Sequence, residues 1–139
     1  MFKKSWFFLS LLVLSSAHAQ QGEQKDISVQ QASGNVYMLH GSGGNIGVLA
    51  TSKGLLLVDD KFAPLAKKIE AAMQGIKDQP LKYIVNTHYH GDHTGGNSFF
   101  SHKAPIFSHE NVRVRLNSNG KNDKSALPVV TYKDGITIY

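Results

Sequence analysis

Apolar and polar positions fall into blocks along the chain. An apolar run from Trp6 to Leu14 is followed by residues 20–31, which are polar and show no sustained period, so residues 20–35 are expected to form a mobile leader with order beginning near Val36. Three short apolar runs come next: Val36–Leu39, Ile46–Ala50 and Leu55–Val58. The turn-forming clusters Gly41-Ser42-Gly43-Gly44-Asn45 and Thr51-Ser52-Lys53-Gly54 separate them, which predicts an antiparallel meander. The third run is apolar at every position and is expected to be a central strand buried on both faces.

Pro64 suits a first helical turn, and Leu65, Ile69, Ala72, Met73 and Ile76 recur at helical spacing until Gly75 weakens the helix and Pro80 ends it. Leu81–Asn86 then reads as a strand. Further on, a helix is expected to start within Thr94–Phe100, a short strand at Ala104–Phe107, a helix at His109–Leu116 and a polar loop at Asn117–Ser125. Val129–Tyr132 and Ile136–Tyr139 flank Lys133-Asp134-Gly135, which predicts a hairpin. The last strand stops at Tyr139 with no closing turn, so the chain reads as C-terminally truncated.

The first 19 residues have the order of a secretory signal: Lys3 and Lys4, the apolar run, then Ser15-Ser16-Ala17-His18-Ala19. The run is too short to span a bilayer, so cleavage after Ala19 and a soluble periplasmic or secreted product without a stable membrane anchor are expected. Cleavage removes two lysines and no acid, lowering the formal charge from +5 to +3. The remaining lysines are scattered, which argues against a nucleic-acid partner and leaves a small-molecule substrate. With no cysteine, stability must come from packing, metal or both.

The chemistry concentrates in Thr87–Asn97, THYHGDHTGGN, at the end of a predicted strand. Side chains at i and i+2 of an extended segment share a face, so His88 and His90 can converge on one cation. Gly91 frees the backbone to turn, and Asp92 and His93 beyond it are poised for a second. Imidazole and carboxylate ligands suit zinc, with iron or manganese as alternatives. Zinc with an open position lowers the pKa of bound water to about 7, which makes hydrolysis the expected reaction. A closed structural zinc site is the competing reading. His40, His102 and His109 read as polar surface or supporting residues. The glycine cluster before Ile46 does not fit a phosphate loop, because a strand follows it and Ile46 occupies the place of the last glycine.

LLLVDD and THYHGDHTGGN, with a meander before them and a helix between them, resemble the metallo-β-lactamase superfamily from about Val36 onward. The resemblance implies an α/β (α+β) fold, with residues 36–139 forming the N-terminal part of an αββα sandwich. It implies two Zn2+ ions, His88 and His90 serving one and Asp92 and His93 the other, and it makes Asp92 the candidate catalytic residue. Asp59 matches the family's strand-end carboxylate, which supports the ligands instead of binding metal itself. The family's remaining ligands come from a C-terminal half that this chain does not include. The expected activity is hydrolysis of a β-lactam or a small ester, thioester or lactone; the alternative is a truncated metal-binding remnant without turnover. An export signal argues against the tRNA-processing and DNA-repair members.

Overall fold

The computed structural model describes residues 26–118, 120 and 123–139. The three apolar runs are strands, joined by one that the pattern did not reveal. Strands β1 (Ser28–Ser33), β2 (Val36–His40), β3 (Ile46–Ala50) and β4 (Leu55–Val58) pair antiparallel in chain order. A helical turn at Ala63–Leu65 and helix α1 (Ala66–Ile76) then carry the chain to β5 (Leu81–Asn86), which lies parallel to β4. Strands β6 (Ile106–His109) and β7 (Val130–Tyr132) extend the sheet in parallel, so the order across it is the order along the chain. Short helices α2 (Gly91–Thr94) and α3 (Asn97–Phe100) follow β5, and α4 (Glu110–Leu116) follows β6.

The register places Tyr37, Val48, Leu57, Ile84 and Ile106 side by side across five strands. Ile69 and Met73 of α1, Leu65 and Phe100 complete the same buried core. Each fully buried aliphatic side chain contributes roughly 1.5–3 kcal/mol of transfer free energy. On the opposite face Leu49, Leu56, Val58, Tyr83, Val85 and Phe107 are half-buried, because the helices lie on one side of the sheet. The central position expected of Leu55–Val58 therefore holds, whereas its burial on both faces does not: Leu55 and Leu57 are covered, and Leu56 and Val58 only partly.

Three further expectations are corrected. Order begins before Val36: β1 lies inside the segment expected to be a mobile leader. All six of its side chains are exposed, and backbone pairing to β2 from Ser28↔His40 to Ser33↔Val36 holds it, so no hydrophobic alternation marks it. The C-terminal hairpin does not form. Val130–Tyr132 pairs parallel to β6, residues 136–139 form no strand, and Ile138 and Tyr139 instead line a cavity of about 510 Å³ with Leu49, Leu55 and Leu56. The helix expected within Thr94–Phe100 is two short helices broken at Gly95-Gly96. The signal and cleavage site lie outside the described residues. Among the described residues no helix is long and apolar enough to cross a membrane.

Candidate metal centre

Parallel pairing of β4 with β5 brings two strand ends together. Asp59-Asp60-Lys61 leaves the end of β4, and Thr87–His90 leaves the end of β5. Asp59 and Lys61 both have left-handed backbone, φ 61° and 57°, a conformation that costs a side-chain-bearing residue about 1–3 kcal/mol and persists only where the surroundings enforce it. Here they do. Asp59 N–H donates to Val85 O at 2.9 Å, Asp60 N–H to His93 O at 2.8 Å, and Gly96 N–H to Lys61 O at 3.1 Å. A Cβ on Gly96 would lie 2.7 Å from Asp60 O, so this approach requires glycine.

The folded-back strand end puts the buried Asp59 carboxylate under the histidines. Its Oδ1 accepts Thr87 N–H at 2.8 Å, and its Oδ2 accepts the Thr87 hydroxyl at 2.7 Å and His93 Nδ1–H at 2.8 Å. The single Thr87 hydroxyl proton is committed to Asp59. Thr87 Oγ1 must therefore act as acceptor towards His88 Nδ1, 3.0 Å away. Both rings then carry their proton on Nδ1 and present the Nε2 lone pair. One carboxylate, directly and through a hydroxyl, fixes two histidines in the tautomer a cation needs.

The His88 and His93 ring centroids are 4.0 Å apart, and those of His88 and His90 are 4.9 Å apart. His93 Nε2 lies 3.5 Å from Asp92 Oδ2. Among the described residues, Asp59, His88 and His93 form the group whose ligand atoms all lie within 4.8 Å of one another. Both Asp59 oxygens are already occupied by donors, which makes it the residue that orients this group, and His88 and His93 the ones free to bind. His90 is exposed and stacks edge-on against Tyr89 at 4.6 Å. This donor set fits a borderline cation such as zinc.

The β2–β3 loop lies against this cluster. Gly44 N–H donates to Asp92 Oδ2 at 3.0 Å, and Lys61 Nζ donates to Gly44 O. A Cβ on Gly44 would fall 2.3 Å from His93 Nε2, and one on Gly43 would fall 2.8 Å from Asp92 Cβ. The cluster read from sequence as a turn is a turn, and it also covers two candidate ligands. Burial acts to raise the Asp92 pKa, but the Gly44 N–H, its own backbone N–H, and His93 and His88 together hold the carboxyl below its ordinary range. Burial lowers the Lys61 pKa, and attraction to Asp92 partly offsets this. Burial pushes Asp60 up to about 8, against the Gly96 N–H bond and with the help of neighbouring Asp59.

The other histidines are placed as expected. His40 sits between Gln30 and Asn45 at 2.8 and 3.1 Å, His102 is exposed, and His109 caps α4 by accepting Asn111 N–H at 3.1 Å. Sequence reasoning missed Thr87, Lys61 and Gly44. Only Thr87 stood inside the quoted motif, and its role depends on Asp59, which pairing of two distant strands delivers.

A mixed α/β layer gathers imidazoles and carboxylates at the ends of two parallel strands, a donor set suited to a metal cation. The metallo-beta-lactamase superfamily matches the chain over residues 39–128, and the chain belongs to that family. Solved structures of similar fold include DIM-1 metallo-beta-lactamase, at 18% identity and TM-score 0.66, covering 80% of this chain and 53% of that one. A metallo-beta-lactamase from Pontibacter korlensis is 22% identical with TM-score 0.66, covering 82% and 56%. FIM-1 from Pseudomonas aeruginosa, solved in its mono-zinc form, is 17% identical with TM-score 0.62, covering 80% and 51%. The chain thus spans about half the length of these structures. No curated protein matches it in sequence.

Proposed function

We propose that this chain carries the first metal-binding half of an exported, zinc-dependent hydrolase acting on a β-lactam or a small ester, thioester or lactone. The observation that supports this reading most is the Asp59–Thr87 support, which fixes His88 and His93 with their Nε2 lone pairs free. His88 and His90 would hold one cation, and Asp92 and His93 a second, with iron or manganese as possible substitutes for zinc. Zinc bound there supplies Lewis acidity and lowers the pKa of water to about 7. Asp59 orients the histidines, and Asp92, held anionic beside Gly44, offers a proton acceptor at the site.

The test is zinc content by elemental analysis, together with hydrolysis of a chromogenic cephalosporin, a thioester and a lactone. His88→Ala and His93→Ala should each lose zinc, while His102→Ala should retain it. Equal zinc in all three variants refutes the assignment. A second reading is metal binding without turnover. Catalytic zinc normally takes three protein ligands, and this segment supplies two to each cation. Zinc-dependent turnover by the 139-residue chain, abolished by His90→Ala, would dismiss that second reading.

A further inference from the structure

The Gly41–Asn45 loop is held between two side-chain pairs. On one side lie Asp92 and His93. On the other lie Lys61, whose Cε would be 3.7 Å from a Cβ on Gly41, and Phe62, whose ring would be 2.9 Å from a Cβ on Gly43. Lys61 is fully buried and reaches across to the carbonyl of Gly44, the residue whose N–H binds the Asp92 carboxylate. A lysine is seldom fully buried unless its ammonium has a partner. The core needs no ammonium at this position, but the loop does. Lys61 has left-handed backbone just past the end of β4, and its side chain lies against Gly41 and Gly44 of the loop.

We propose that Lys61 is a positioning residue: it clamps the Gly41–Asn45 loop onto the cluster so that Gly44 N–H fixes the Asp92 carboxylate for cation binding. The proposal rests on the metal-centre reading above. It adds a dependence of that centre on a lysine that touches neither cation nor substrate.

The test is Lys61→Met in the full chain, which keeps the buried stem and removes the donor. Zinc affinity is read by competition with a chromophoric chelator, ligand geometry by the Co2+ absorption spectrum, and folding by far-UV circular dichroism of the chelator-treated protein. The expected result is zinc affinity about 10–100-fold weaker, the range for losing a group that orients a metal ligand, with an altered Co2+ spectrum and unchanged dichroism. In an Asp92→Ala background the same substitution should have no further effect. An equal loss in both backgrounds, or wild-type affinity and spectrum in Lys61→Met, overturns the proposal. If Lys61→Met does not fold, Lys61→Leu, which also removes the donor, is read the same way: wild-type zinc affinity there, or a loss that persists without Asp92, also overturns it. A wild-type chain that takes up no zinc removes the metal-centre reading and this proposal together. Zinc uptake by the wild type with no response in the variants removes this proposal alone.

Discussion

Asp60 is a carboxyl with no exposed surface, and its protonation should govern how the metal-free fold responds to pH. Its Oδ1 accepts Gly96 N–H at 2.9 Å, while Oδ2 has no partner among the described residues. Burial and the adjacent Asp59 raise its pKa from 3.8 to about 8 in the folded chain. The folded state therefore keeps a proton that the unfolded state has released. The number of protons bound is larger in the native state between these two values, so stability falls as pH rises. The contribution is fully present below about pH 4 and is lost progressively up to about pH 8, at roughly 1.4 kcal/mol per pH unit in the middle of that window. Between pH 6 and pH 8 the loss is on the order of 2 kcal/mol. Asp60→Asn copies the shape of the neutral acid and cannot ionise. Urea denaturation in the presence of chelator should find the stability of the variant gaining on that of the wild type by about 2 kcal/mol between pH 6 and pH 8. Parallel stability profiles for the two proteins would mean that Asp60 is not protonated in the folded chain, and the reasoning would fail.

Asp59→Asn should weaken zinc binding by about 10–100-fold, because the amide has one accepting oxygen where the carboxylate has two, so either Thr87 N–H or the pair formed by the Thr87 hydroxyl and His93 Nδ1–H loses its acceptor; an unchanged affinity by chelator competition would contradict the tautomer argument. Export should leave a mature N-terminus at Gln20, read by mass spectrometry of the secreted or periplasmic fraction. A product retaining Met1 in the cytosol would refute it.

The candidate ligands were legible in the sequence because their spacing is local. His88 and His90 sit two apart on an extended segment, Asp92 and His93 follow one turn later, and no tertiary knowledge is needed to see that such side chains can meet. The meander and α1 were legible for a similar reason, since their burial imprints periods of 2 and 3.6 on the sequence. Strand β1 left no imprint, because backbone pairing alone holds it and its side chains face solvent. The missing hairpin shows the converse: Ile136–Tyr139 has the alternation of a strand, but it pairs with none, and only Ile138 is half-buried, in the cavity beside Leu49 and Leu56.

Apart from Asp59, which the family resemblance pointed to, what supports the candidate ligands was not legible, and the reason is distance along the chain. Asp59 meets Thr87 across 28 positions and His93 across 34, and Gly44 meets Asp92 across 48. Each of these contacts exists only once β4 and β5 lie parallel and the β2–β3 loop bends over their ends. Glycine shows the difference most clearly. Gly91, read as the residue that lets the backbone turn, has ordinary φ, and a Cβ there would meet nothing within 4 Å. Gly44, read as one residue of a loop, has no room for a Cβ because His93 Nε2 occupies that space. A motif can therefore name the atoms that would bind a cation while saying nothing of the neighbours that make them bind. Those neighbours are Asp59, Thr87, Gly44 and Lys61, and they are where substitutions should separate loss of metal from loss of fold.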